Sequence, residues 1–177
     1  MTVLETERLR LAHLSESDSG FVLELLNEPA FLRDIGDKGV RTLADACRYL
    51  AEGPVASYTR HGFGLYRVDV KESGESVGIC GFVKRDVLEQ PDLGYALLAR
   101  HWSHGYAIEA ASATLEYGRT QLQLEQVLAI TTPNNGRSIR VLEKLGFRME
   151  SIEPLAGFDT PSKIFVWTSP VQVSGET

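Results

Sequence analysis

The chain has 177 residues, 43% apolar and 24% charged, with a formal net charge of −6. That length suits one domain with a sizeable core, expected to span residues 1–177, and the acidic balance excludes a nucleic-acid binder held by phosphate contacts. No apolar run is long enough to cross a bilayer and the charged N-terminus is unlike a signal peptide, so a cytoplasmic protein without membrane contact is expected.

Partial alternation from Val3 to Leu14 predicts a first strand. Ser15, Glu16, Ser17 and Asp18 form a helix start ahead of Phe21, Val22, Leu25 and Leu26, and that helix should stop near Pro29. Thr42 followed by Asp45 opens a second helix carrying Leu43, Ala46, Cys47 and Leu50 on one face. It should end by Gly53-Pro54, with a further turn over Ala56–Arg60 left open. Gly64–Lys71 and Ser76–Arg85 read as an antiparallel hairpin around Glu72-Ser73-Gly74-Glu75. Gly78 and Gly81 mark either a bulge or a close approach. Gln126–Thr132 is a strand bounded by Pro133. A short helix with Ile139, Leu142 and Leu145 follows, closed by Gly146. Phe147–Ile152 and Lys163–Ser169 are final strands joined by a loop. Cys47 and Cys80, far apart and outside any CxxC pair, read as reduced core thiols. These elements give one α/β domain with several antiparallel strands.

The chemistry centres on Asp92–Glu116. A strand over Asp92–Leu98 leads through a loop, Ala99–Gly105, into a helix over Tyr106–Thr120. A helix N-terminus has unpaired N–H groups and the positive end of the dipole, so it suits an anion. Gly105, lacking a Cβ, allows close approach of a ligand; a plain structural turn is the alternative. Asn135 is placed to cap the helix that carries Ser138. Glu109, in the first turn of the long helix, reads as a structural carboxylate favoured by the dipole. His13, His61 and His101 lack metal-ligand spacing, and no Ser/His/Asp set is legible.

Four segments, ETERLRLAHLSESD, ESVGICGF, DLGYALLARHWSHGYAIEA and PNNGRSIRVLEKLGF, occur in order over nearly the whole chain. Together they resemble the GNAT N-acetyltransferase superfamily, and within it the RimJ/RimL-like branch of ribosomal-protein N-terminal acetyltransferases. The resemblance implies a mixed, mostly antiparallel sheet of six or seven strands flanked by helices, with two central strands splayed around acetyl-CoA. It maps the pyrophosphate loop onto Trp102, Ser103, His104, Gly105, Tyr106 and Ala107. The branch usually has Gly where Ser103 stands, and often Lys or Arg where His104 stands. The resemblance also gives the pantetheine edge to Leu97, Leu98 and Ala99, and a contact with the arm to Asn135. An amide near Leu97 is the expected oxyanion donor. The family's usual tyrosine is replaced by Leu142, so Ser138 is the candidate partner of the coenzyme sulfur, with Tyr95 and Tyr106 as alternative donors.

Direct acetyl transfer requires a neutral amine. Deprotonating a lysine at neutral pH costs about 4–5 kcal/mol, an α-amine only about 1 kcal/mol. Asp92, opening the central strand, is the candidate base; its alternative is a solvated strand-end charge. The expected activity is acetyl transfer to a primary amine, with a peptide N-terminus as one candidate acceptor, by a monomer or homodimer. The alternatives are an acceptor such as an aminoglycoside or polyamine, or an inactive CoA-binding module. A dinucleotide-dependent oxidoreductase is disfavoured by the missing GxGxxG. The acceptor surface is expected from Phe21–Arg60 and Glu153–Ser162, where Asp34, Asp37, Asp45 and Asp159 are available to a cation.

Overall fold

A computed structural model describes residues 1–170, so the last seven residues of the expected domain lie outside the described residues. Eight strands form one sheet: β1 (Thr2–Glu5), β2 (Leu9–His13), β3 (Leu65–Val70), β4 (Ser76–Val83), β5 (Asp92–Leu97), β6 (Gln126–Thr131), β7 (Arg148–Glu153) and β8 (Ser162–Thr168). Their spatial order is β1-β2-β3-β4-β5-β6-β8-β7, antiparallel everywhere except between β5 and β6. The expected count of six or seven is therefore corrected to eight. The single strand expected over Val3–Leu14 breaks at residues 6–8, where the Thr6 N–H turns back to the Leu9 carbonyl at 2.9 Å, and its halves pair with each other.

The helices are α1 (Ser19–Leu26), α2 (Pro29–Asp34), α3 (Leu43–Leu50), α4 (Ala56–His61), α5 (Tyr106–Thr120) and α6 (Gly136–Lys144). Pro29 opens α2 rather than only closing α1, because a missing N–H costs nothing in a first helical turn. Likewise Gly53 and Pro54 do not stop the second expected helix. The chain passes through a π-helical stretch, Ala51–Val55, into α4, and ends at Gly62 with φ 76°. The Thr42–Asp45 capping box forms as expected, with the Thr42 hydroxyl accepting from the Asp45 N–H.

Two apolar cores lie on opposite faces of the sheet. Leu9, Leu11, Phe82, Leu93, Val127 and Phe165 belong to the core packed with α5 and α6. Leu25, Leu26, Phe31, Leu50, Ile79 and Leu98 belong to the core packed with α1–α3. Gly78 and Gly81 serve close approach: a Cβ would lie 2.3 Å from the Ala96 carbonyl oxygen and 2.0 Å from that of Gly64. The bulge in this hairpin instead falls at Val68/Asp69. Cys80 is fully buried, which pushes its thiol up to about 12; Cys47 is half-buried, and both are free thiols.

Candidate active site

Parallel pairing of β5 with β6 is confined to one position, Asp92 opposite Leu128, where the Leu128 N–H reaches the Pro91 carbonyl at 2.9 Å. Beyond it the strands part. Leu98 donates its N–H to the Val77 carbonyl at 2.9 Å, and this sets the alternation along β5. Gly94 and Ala96 direct their peptide groups at β4, whereas Tyr95 and Leu97 direct theirs into the gap. The edge expected at Leu97, Leu98 and Ala99 is thus corrected to Tyr95 and Leu97. Leu98 is committed to β4, and the Ala99 N–H is taken by the Glu28 carboxylate at 2.8 Å. Tyr95 was missed as an edge residue because the parity of β5 depends on its register with β4, which the bare sequence does not display. At the far end of β6 the buried Thr131 hydroxyl has no hydrogen-bond partner among the described residues.

The loop after β5 opens at the wide end of this gap. Ser103 and Gly105 both take left-handed conformations, with φ of 65° and 78°. Among the described residues, no N–H from Ser103 to Ala107 donates to a protein acceptor. These amides form the start of α5, a 15-residue helix whose positive end faces the same way. His104 Nδ1 lies 2.8 Å from the Trp102 carbonyl oxygen, so that nitrogen carries the proton, and the ring stacks on Tyr106 at 5.4 Å. Trp102 acts as a brace: its indole N–H donates to the Leu97 carbonyl at 3.0 Å, and its ring lies 3.8 Å from the Arg137 guanidinium.

Sequence reasoning missed Arg8. Its Nη1 donates to the His104 carbonyl at 2.8 Å, and its guanidinium lies 4.8 Å from the Tyr106 ring centroid. Glu109 holds it there, accepting from Arg8 Nε at 2.7 Å, the Arg8 N–H at 2.9 Å and the Thr6 hydroxyl at 2.5 Å. Burial pushes the Glu109 pKa up, but these donors outweigh burial and hold it below the usual carboxylate value. Glu109 therefore fastens the β1–β2 turn to the loop ahead of α5. Only the ETERLRL segment hinted at Arg8, and nothing in its spacing pointed across about 100 residues of chain to His104.

Asn135 caps α6, its Oδ1 accepting from the Ser138 N–H at 3.1 Å. The Ser138 hydroxyl lies 2.8 Å from the Tyr95 hydroxyl, so α6 and the gap-facing strand are joined at the residues expected to meet the sulfur. Burial pushes the Tyr95 phenol up to about 12, which keeps it protonated and able to donate. Leu142, where the family's usual tyrosine is missing, is buried in the α5-side core. Tyr95 brings a phenol to the same helix from the strand opposite.

Asp92 does not have the solvated setting expected of a strand-end charge. It is 1% exposed, and its Oδ1 is held by Arg85 Nε at 2.9 Å. Burial raises its pKa, with Arg85 opposing. It points to the face opposite α5, where Arg85 lies against Phe158 at 5.5 Å. Lys38 and Tyr49 come into the electrostatic range of Arg85 from the α1–α3 side. Of the acids expected to attract a cation, Asp34 pairs with Arg33, Asp37 with Arg41 and Asp45 with Arg48, while Asp159 is exposed and forms no ion pair among the described residues.

The family model of the acetyltransferase (GNAT) domain matches residues 8–148. The chain belongs to the GNAT acetyltransferase family. Among its relatives, the Bacillus subtilis protein YkkB is 34% identical over 149 residues, covering 82% of this chain and 84% of that one. The N-acetyltransferase YoaA of Bacillus subtilis is 25% identical over 152 residues, covering 85% of each. The crystal structure of an acetyltransferase from Agrobacterium tumefaciens superposes with TM-score 0.81 at 25% identity, covering 96% of this chain and 95% of that one. The ribosomal L7/L12 alpha-N-protein acetyltransferase RimL, solved with coenzyme A, shares the fold with TM-score 0.81 at 14% identity, covering 95% of this chain and 98% of its own.

The protein is thus a GNAT N-acetyltransferase, and the family uses acetyl-CoA. The geometry fits that co-substrate: free amides at Ser103–Ala107 for a diphosphate, the gap-facing Tyr95 peptide groups and Leu97 N–H for an amide-bearing arm, the Leu97 carbonyl being taken by Trp102, and an orphan hydroxyl at Thr131. Among the described residues no group of His, Cys, Asp and Glu could hold a metal, and no helix is long and apolar enough to cross a membrane.

Proposed function

We propose that this GNAT enzyme moves the acetyl group to a primary amine by direct attack, the amine entering from the α1–α3 face while acetyl-CoA enters from the loop at residues 103–107. The observation that carries this reading is the gap between β5 and β6, closed at Asp92 and open beside the free amides of the anion loop. Amides of the 103–107 loop hold the diphosphate, each charge-assisted bond contributing roughly 1.5–3 kcal/mol. An arm running from that loop toward Asp92 pairs with the Leu97 N–H, the Leu97 carbonyl being taken by Trp102, and its thioester end comes beside Tyr95. The coenzyme supplies an activated acyl group and a thiolate leaving group.

Ser138, held by Tyr95, donates a hydrogen bond to the departing sulfur, and the gap-facing N–H of Tyr95, beside the thioester, faces the developing oxyanion. Asp92 takes a changed role. A carboxylate capped by Arg85 acts through Arg85 as a positioning residue, and the ammonium proton leaves through water. This suits an α-amine, whose deprotonation costs only about 1 kcal/mol at neutral pH. A peptide N-terminus or a small amine meets that condition more easily than a lysine side chain.

The test is a panel of amines with acetyl-CoA, read by mass spectrometry for one added acetyl group and by release of free thiol. Ser138→Ala should lower kcat about 10–100-fold with little change in KM for acetyl-CoA. An unchanged kcat would remove Ser138 from the transfer step.

A further inference from the structure

Beyond β8 the sheet ends in β7, and no strand among the described residues pairs with its outer side. Such an edge presents a row of open N–H and C=O groups. Five of its six residues are exposed, and two of these are large apolar side chains, Met149 at 53% and Ile152 at 52%. None of Arg148, Glu150 and Glu153 forms an ion pair among the described residues. Register with β8 shows which side chains share a face, because residues directly opposite point the same way. Met149 and Ile152 lie opposite Phe165 and Lys163, on the side of the α5–α6 core. Arg148, Ser151 and Glu153 lie opposite Val166, Ile164 and Ser162, on the other side. Glu150 is the extra residue of a bulge, since the register shifts between Met149 and Ser151. Without that bulge Met149 and Ile152, three positions apart, would point to opposite faces.

We propose that β7 docks a second copy of this chain, the two strands running antiparallel about a twofold axis beside Glu150 and Ser151. In that register Arg148 faces Glu153 of the second copy and Met149 faces its Ile152, and symmetry repeats both pairs. Each pair shares a face, so opposite charges meet on one side of the joined sheet and apolar groups on the other. The two bulges meet at the axis, and the strands stay in step. A slip of one residue either way sets Met149 against Glu153 or Ser151, which point to the other face. Within one copy Arg148 and Glu153 stand roughly 15 Å apart along the strand, too far to pair with each other. Charges and bulges on an edge ordinarily keep it unpaired, and Glu150 does meet its own counterpart at the axis. That one like-charge contact stands against two Arg148–Glu153 pairs. The other open edge, β1, offers β7 only a head-to-tail contact, which does not close. The interface is separate from the transfer site and does not depend on its chemistry.

The test is analytical ultracentrifugation of the full chain from about 1 to about 500 μM. Six residues of edge are few beside the roughly 20–30 a side of a standard interface, so a monomer–dimer equilibrium with a micromolar Kd is expected. Arg148→Glu alone and Glu153→Arg alone each set like charges opposite one another, and each should raise Kd about tenfold or more. Mixed in equal amounts, the two variants restore opposite charges at both ends of the interface and should associate about as tightly as the parent. Both substitutions on one chain should do the same. Glu150→Gln removes the contact at the axis and should tighten the dimer. All these positions are exposed, and thermal melts by circular dichroism check that each variant keeps the fold. A monomer at every concentration would overturn the proposal, as would growth beyond the dimer. A dimer indifferent to the single charge reversals would place the interface elsewhere, and a mixture that fails to associate would exclude the Arg148-to-Glu153 register.

Discussion

Ser103 holds a conformation that its side chain does not favour. With φ of 65° it occupies the left-handed region, where an L-residue other than glycine or asparagine loses roughly 1 kcal/mol. The family preference for glycine at this place has its physical reason here: the loop must turn its amides outward twice, at 103 and again at 105. Serine tolerates the turn because it is small, and the His104 contacts to the Trp102 carbonyl and the Tyr106 ring hold the loop around it. Ser103→Gly should therefore raise the stability of the free protein by about 0.5–1 kcal/mol without loss of coenzyme affinity, whereas Ser103→Val should lower both. Thermal unfolding and a coenzyme titration on the two variants check this. A glycine variant less stable than the parent would mean that the strain is absent.

Between elements, the anion loop depends on a turn about 100 residues away. Glu109 on α5 and Arg8 after β1 form the tie, and the Arg8 N–H, its guanidinium and the Thr6 hydroxyl converge on one carboxylate. Because the folded Glu109 has a lowered pKa, it binds fewer protons than the unfolded chain. Its contribution is complete above the ordinary glutamate value, near pH 4.3, and is lost as pH falls through the lower folded value. Arg8 is half-exposed, so the tie is worth less than a buried pair; Glu109→Gln should cost about 1–2 kcal/mol at pH 7. Urea unfolding at a series of pH values should show wild type and variant converging in acid, and a constant difference down to pH 3 would exclude the carboxylate as its source. What the sequence displays and what it hides divide along this line. Local signals survived: the Thr42 cap, the Asn135 cap, Gly146 at φ 91° and the strand–loop–helix at Asp92–Thr120. Relations between distant segments did not. The split of the first strand, Arg8 over His104, Arg85 over Asp92 and the parity of Tyr95 all come from register and packing, which a single chain of letters carries only weakly.

At the scale of the molecule, the sheet joins two separate cores and is itself interrupted between β5 and β6. Seven pairings surround or build this sheet, and six run over several residues while one holds a single pair, Asp92 with Leu128. The halves are kept together by helices and by the contacts that bridge them, Tyr95 with Ser138 and Trp102 with Arg137. A ligand arm lying in the gap completes hydrogen bonding that the protein leaves open, so binding and folding are linked. Coenzyme A at about a hundredfold its Kd should stabilise the fold by roughly 2.7 kcal/mol. The pattern of protection is the sharper prediction. In free protein the amides of Tyr95 and Leu97 face the gap and should exchange with deuterium faster than that of Leu98, which is bonded to Val77. Adding coenzyme A should slow exchange at Tyr95, Leu97 and Ser103–Ala107, and leave Ala99, bonded to Glu28, nearly unchanged. Residue-resolved NMR exchange reads these positions separately. If Leu98 rather than Leu97 gains protection, the strand has the opposite parity, and the gap-facing edge and the proposed oxyanion donor move with it.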